Sequence, residues 1–294
     1  MAVYEQKYKL YSGPLTPEGS RLLIIPRYAL RDVFGSKLFT GFFALCYICP
    51  LVMSILIYLH YNVNALAIMQ LRVRDLLAID ADFFRVFVTV QSSFAFLLTV
   101  IVGPPLVSRD MANNALPLYL CRPFSRKEYV IGKMSVLTIL LSAVTWVPGL
   151  LLFAFQSYLE GISWFAQNLW ISAAIFLTSW TWILVLALLS LTMSAWVKWR
   201  IAASAGIFAV YIIPNVFALM VVQIFSTRWG NIISLSKVLE TITAALFRSK
   251  DLWAVEVDAR LRLPAAAAWF ALIAFYGICL LLLTRRVKAY EVVR

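Results

Sequence analysis

Charged residues are scarce in this sequence. They make up 14% of its 294 residues, and hydrophobic residues make up 63%, whereas a soluble domain carries about 25% charged and about 45–50% apolar residues. Six stretches contain no Asp, Glu, Lys, Arg or His, and each exceeds the roughly 20 residues that a membrane-spanning helix needs. The sequence therefore predicts an all-α polytopic membrane protein with six transmembrane helices. The predicted spans are Leu38–Leu59, Val86–Ser108, Met134–Leu159, Gly161–Val197, Ile201–Thr227 and Leu263–Thr284.

Residues that bind metals or carry redox chemistry are also rare. His60 is the single histidine, and it lies at the end of the first predicted span. Among four cysteines, Cys46 and Cys49 form a C-x-x-C pair, a spacing found in redox and metal sites. Both lie inside the first span without a neighbouring His or acidic ligand, so we interpret them as small apolar residues of a helix. We expect no metal site.

Motifs for nucleotide binding and hydrolysis are missing from the sequence. It contains no G-x-x-x-x-G-K-[ST] loop, and no G-x-S-x-G, H-E-x-x-H or G-x-G-x-x-G. The predicted spans also lack the ionisable side chains with which ion-coupled carriers bind their driving ion. We therefore expect neither an enzyme nor a cofactor in this chain. A process that needs energy would have to take it from a separate protein.

Basic residues are distributed unevenly between the two sides of the predicted bundle. If the N-terminus lies inside, the segments 1–37, 109–133, 198–200 and 285–294 carry 17 of the 26 Lys and Arg residues, and the outside loops carry 9. This bias is the one that places basic loops in the cytoplasm. It predicts that both termini are cytoplasmic. We expect the membrane to be a cell membrane, the plasma or inner membrane of a bacterium. The bias also accounts for the net charge of +12 without a nucleic-acid partner.

Residues 1–37 are predicted to form a cytoplasmic arm and a short interfacial elbow helix. Pro26 suits the first position of that helix, since it needs no backbone donor there. A basic amphipathic helix of this kind lies in the plane of the membrane surface; the alternative is a plain cytoplasmic segment leading into the first span. The basic residues Arg27 and Arg31 would share one face, and Leu30, Val33 and Phe34 would share another.

Residues 38–284 form the predicted membrane domain, followed by a cytoplasmic tail at 285–294. The loop 109–133 would be cytoplasmic, and the segment 224–262 would be external, with one or two short helices dipping into the outer leaflet. Prolines are expected to kink the spans, or to end the second one at Gly103-Pro104-Pro105. Uncharged polar residues are expected to join the spans by hydrogen bonds. They include Thr145, Ser179, Thr181, Ser190, Thr192, Ser194, Ser204, Asn215 and Gln223.

The loop 109–133 resembles the coupling region of the ABC-2 family, the membrane subunits of ATP-binding-cassette exporters. That family shows an acidic residue and a G-T-L step, followed by L-x-x-R-P-x-S-R-x-E-x-x-x-x-K. This chain matches the second half closely, but it has Asn-Ala in place of Gly-Thr and Asp in place of the usual Glu. The positions that correspond to this pattern, with Leu120 one residue closer to Arg122 than the leucine of the pattern, are Asp110, Asn114, Leu116, Leu120, Arg122, Pro123, Ser125, Arg126, Glu128 and Lys133.

The resemblance implies a division of labour between subunits. Two permease subunits, identical or closely related, would each rest on an ABC ATPase subunit that binds ATP and Mg²⁺. The loop would dock in a groove of the ATPase, where Arg122, Arg126 and Lys127 would pair with acidic residues. The alternative for these basic residues is contact with anionic lipid headgroups. An alternative function is an ABC complex that does mechanical or assembly work in the envelope instead of transport.

Overall fold

A computed structural model gives the fold of this chain for residues 18–62, 78–113, 126–197, 199–248 and 263–286. Within these ranges all regular elements are helices. Six helical segments are long and apolar enough to cross a membrane. The predicted all-α membrane fold with six spans is therefore confirmed.

Ten α-helices are numbered here in chain order. They are α1 (Glu18–Phe34), α2 (Lys37–Leu45), α3 (Ile48–Tyr61), α4 (Ala81–Ala112), α5 (Arg126–Val144), α6 (Trp146–Glu160), α7 (Ile162–Trp196), α8 (Arg200–Phe225), α9 (Leu235–Leu246) and α10 (Ala265–Arg286). Span 1 consists of α2 and α3, and span 3 consists of α5 and α6. Spans 2, 4, 5 and 6 are α4, α7, α8 and α10. We call the end of the bundle that carries α1 the α1 end, and the opposite one the far end.

Span 2 begins with a capped helix at the far end. The side chain of Asp80 accepts hydrogen bonds from two backbone N–H groups of the first turn of α4, which satisfies donors that a helix start otherwise leaves free. The helix thus begins at Ala81 and not at Val86, because Asp80 caps it at a position that precedes the apolar stretch. Asp82 and Arg85 belong to α4, which extends beyond the predicted span Val86–Ser108 at both ends.

Spans 2, 3 and 4 form the centre of the bundle. In the most apolar stretch of each of these spans, 61%, 61% and 72% of the residues are buried. The corresponding shares in spans 1, 5 and 6 are 17%, 11% and 22%. Spans 2 and 4 meet at very short range, since a Cβ atom added to Gly103 would lie 1.7 Å from the Oγ of Ser190. Only glycine fits at that position. The outer spans have few fully buried residues.

A single buried amide supports two proline-interrupted spans. Because proline has no N–H, Pro50 leaves the carbonyl of Cys46 without its helical donor, and Pro148 does the same to Val144. Spans 1 and 3 break at these two carbonyls. The fully buried side chain of Gln91, on span 2, donates from Nε2 to both carbonyl oxygens at 3.1 and 2.8 Å. The amide thus joins three spans.

Two serines support span 2 at its own prolines. Gly103-Pro104-Pro105 does not end the helix, which continues to Ala112. The carbonyl of Val100, released by Pro104, accepts a hydrogen bond from Ser204 of span 5 at 3.2 Å. Ser194 of span 4 accepts from two backbone N–H groups of the following turn at 3.1 and 2.8 Å, and donates to the Pro104 carbonyl. These two predicted interhelical hydrogen-bonding residues are confirmed.

Helix α1 is longer than predicted. It begins at Glu18, so the prediction that Pro26 opens the helix is wrong, and Pro26 lies buried in its middle. A proline inside a helix loses one backbone hydrogen bond, and apolar packing of α1 on the bundle offsets that loss. The residues that pack are Ile25, Ala29, Leu30 and Val33. Arg27 and Arg31 are exposed, and the location of α1 at a membrane surface stays a prediction.

The chain between spans 5 and 6 turns back along span 5. After a 3₁₀ helix at Arg228–Ile232, Ser234 caps α9 and donates to the Oδ1 of Asn215 at 3.0 Å. Asn215 lies ten residues before the end of α8 at Phe225, which is roughly 15 Å along the helix. Helix α9 therefore begins deep in the bundle. Its side chains Val238 and Ile242 are buried there.

We predict that Gln91→Leu destabilises the bundle by roughly 1–3 kcal/mol, because two buried carbonyls then lack a donor. The matched control is Gln223→Leu, which removes the same group from an exposed position on span 5 and is expected to change stability by less than about 0.5 kcal/mol. Unfolding of both variants is measured in detergent micelles with a graded denaturing detergent. Equal stability of the two variants would contradict the bridging role of Gln91.

Candidate coupling site

The candidate site lies at the α1 end, where span 2 leads into the loop 114–125 and span 3 leaves it. Asp110 stands in the last turn of α4, and Lys133 stands in the second turn of α5. Their side chains form an ion pair, with Nζ of Lys133 at 2.8 Å from Oδ2 of Asp110. The two side chains are only 10% and 15% exposed. The pair therefore closes the base of the loop.

A tyrosine completes this buried cluster. The hydroxyl of Tyr129 donates to the same Oδ2 of Asp110 at 2.7 Å, and its ring lies beneath the ammonium group of Lys133 at 5.7 Å. Tyr129 is 1% exposed. A buried carboxylate is stable only when it is paired and hydrogen-bonded, and Asp110 has both kinds of partner. The cluster therefore joins spans 2 and 3 through an ion pair and a hydrogen bond to the same carboxylate.

Helix α1 lies against the same region. Asp32 of α1 pairs with Arg109 of span 2 at 2.9 Å, with side chains 71% and 57% exposed. Gly132 of span 3 allows a close approach, because a Cβ atom there would lie 3.1 Å from the side chain of Ile25. A cavity of about 350 Å³ remains between α1 and spans 2 and 3. Helix α1, span 2 and span 3 thus share one contact region.

The structure locates some of the predicted site residues. Asp110 is in the cluster, and Arg126 and Lys127 begin α5, although their side chains lie outside the described part of the chain. The elbow residue Phe34 contacts the rings of Phe39 and Phe43, with centroids 5.2 and 5.5 Å apart. Five predicted coupling residues lie outside the described ranges: Asn114, Leu116, Leu120, Arg122 and Pro123.

Three features of the site were not predicted from the sequence. Lys133 was recognised as a motif position but was given no role, and Tyr129 was not singled out. An acidic and a basic residue at the two ends of a loop of this length are a weak signal for an ion pair. Their separation along the sequence does not show whether the two side chains meet. The Asp32–Arg109 pair was also missed, because the contact between α1 and span 2 depends on the tertiary fold.

Metal chemistry receives no support from the described ranges. In them, no three His, Cys, Asp or Glu side chains lie together as metal ligands do. Cys46 and Cys49 are both free thiols within span 1. Comparison with known protein families and with curated proteins finds no match for this chain.

We predict that Asp110 and Lys133 are energetically coupled. Asp110→Asn should cost about 3 kcal/mol, because it leaves the Lys133 ammonium buried without a counter-charge. Adding Lys133→Met removes that charge, so the double variant should be more stable than the sum of the single changes implies. The measurement is a double-mutant cycle of unfolding free energies in detergent micelles.

The neighbouring ion pair provides the matched control. Asp32→Asn and Arg109→Gln change an exposed pair, whose coupling is expected to stay below about 1 kcal/mol. Equal coupling in the two cycles, or additive changes at Asp110 and Lys133, would mean that the buried pair does not hold the loop base together.

Proposed function

We propose that this chain is the permease subunit of an ATP-binding-cassette exporter of the ABC-2 type. One observation carries the proposal: Asp110 and Lys133, which bracket the sequence that resembles the family's coupling loop, are bonded to each other at 2.8 Å. A loop whose base is held in this way transmits a force to the spans instead of absorbing it. The six spans and the preceding helix α1 are consistent with the same family.

The route of that force follows from the contacts of span 2. Asp110 lies in the last turn of the helix that also contains Pro104 and Pro105, about one and a half turns from them. Span 2 packs on span 4 at Gly103 and bonds to it through Ser194. A force on the loop is therefore transmitted to the centre of the bundle. At that point the backbone of span 2 is hydrogen-bonded to a side chain of a neighbouring span.

The proposed orientation has the α1 end in the cytoplasm of the cell. The predicted inside segments carry 17 of the 26 basic residues, and such segments stay on the cytoplasmic side. The ATPase would dock there, and ATP and Mg²⁺ would bind to the ATPase. A second permease subunit would cover part of the surface that spans 1, 5 and 6 expose.

We predict that Arg126→Glu weakens binding of the ATPase at least tenfold. Loss of one partner of a buried interfacial charge pair costs about 2–5 kcal/mol, and a reversed charge adds repulsion. The measurement is co-purification with a co-expressed ABC ATPase, together with ATP hydrolysis stimulated by the permease. Charge reversal should lower both quantities.

The matched control is Arg285→Glu, which reverses a basic residue on the exposed last turn of α10. It should change the affinity by less than about threefold, because solvent-exposed charges contribute little. No loss in Arg126→Glu, or equal losses in both variants, would mean that the loop is not the docking element.

A further inference from the structure

A charged cavity lies in the half of the bundle away from α1. It measures about 330 Å³ and lies between span 2, span 4, span 5 and α9. Its charged lining residues are Arg85, Lys237 and Glu240. The sequence predicts all three to lie outside the spans, and Arg85 is 4% exposed within α4, which begins before the predicted span. Ionisable residues at such depth usually mark a functional site.

The depth of the cavity follows from the start of α9. Ser234 bonds to Asn215, roughly 15 Å inward from the end of span 5. Lys237 and Glu240 follow in the first two turns of α9, and Tyr211 of the cavity wall lies four residues further inward than Asn215. The charged groups therefore lie below the far surface of the bundle and beside the apolar core.

The charges of the cavity wall favour an acidic ligand. Lys237 pairs with Glu240 at 2.9 Å, and their side chains remain 41% and 38% exposed, so both are accessible. Arg85 adds a second positive charge. A guanidinium group has five N–H donors, so it can bind a ligand while it keeps a protein partner. The three charged groups together carry one net positive charge.

The uncharged part of the wall favours a ligand that also has an apolar portion. Trp182 and Tyr211 supply aromatic surface, and Val86 and Val88 supply aliphatic surface. Thr89 and Ser93 are exposed on the side of span 2, so the cavity opens sideways. A molecule with an acidic head and an apolar tail fits this combination, since the tail can stay outside the charged part.

From these contacts we infer that the cavity binds the acidic headgroup of an amphipathic molecule, with Arg85 and Lys237 holding the phosphate or carboxylate. The inference names the cargo class of the proposed exporter and so rests on that function. The headgroup could come from a phospholipid of the bilayer or from a soluble single-chain amphiphile. The chemistry at Arg85 and Lys237 is the same for both.

The test measures binding of a fluorescent alkyl phosphate to the purified chain in neutral detergent, without an ATPase. Lys237→Gln should weaken binding about tenfold, which is typical of losing one hydrogen bond to a charged group. Lys237→Arg should retain binding, because it keeps the charge. Arg85→Gln should weaken binding at least as much; if that variant does not fold, the Lys237 variants decide the result.

Two controls make the test specific. Arg228→Gln removes a basic residue between spans 5 and 6 that stacks on Trp229 and does not line the cavity, so binding should be unchanged. Displacement of the probe by phosphatidylglycerol vesicles, but not by phosphatidylcholine vesicles, identifies a bilayer lipid as ligand. Displacement by dodecyl phosphate alone identifies a soluble amphiphile.

The inference is overturned if a neutral alkyl probe binds as tightly as the alkyl phosphate, or if Lys237→Gln and Arg228→Gln behave alike. Because no ATPase is present, absence of binding overturns the cavity's role and leaves the coupling proposal standing. If the alkyl phosphate binds as expected but the Arg126→Glu variant still recruits the ATPase, the proposal for the coupling loop is overturned. The proposal for the cavity then stands.

Discussion

This structure depends on hydrogen bonds to backbone carbonyls that lack a helical donor because the residue four positions later is proline. In a bilayer no water is present to satisfy such a carbonyl, so a neighbouring span must supply the donor. Gln91 supplies it to spans 1 and 3, and Ser204 of span 5 supplies it to span 2. Ser194 of span 4 bonds to the turn after Pro104. Span 2 takes part in every one of these bonds and is therefore the hub of the bundle.

The same span connects the two candidate sites. Arg85, in the wall of the far cavity, and Asp110, in the cluster at the α1 end, lie on one helix. They are 25 residues apart, or roughly 38 Å along the helix axis. Between them lies the proline pair that Ser194 and Ser204 support. A displacement of the loop base at Asp110 and Lys133 can thus reach the cavity without leaving span 2, and the interruption at Pro104 is the point at which the helix can bend.

Much of this architecture was predictable from the sequence, because bilayer-spanning helices need long runs without charge. An apolar run does not locate the start of α4, because the N-cap at Asp80 extends the helix beyond that run to include Arg85. The sequence predicted that Ser194 and Ser204 form hydrogen bonds between spans, but it did not predict their partners. Gln91 was not predicted at all, because its role depends on two prolines in other spans. The pairing of Asp110 with Lys133 likewise depends on how the loop closes, which residue spacing alone does not determine.

We propose that this chain works as one of two permeases on two ATPase subunits, with the Asp110–Lys133 ion pair at the base of each docking loop. The most direct test is the mass of the detergent-solubilised complex, after co-expression with a candidate ABC ATPase. The account predicts two permease subunits and two ATPase subunits. A stable complex of one permease with one ATPase, or a permease that purifies without any ATPase, would contradict it.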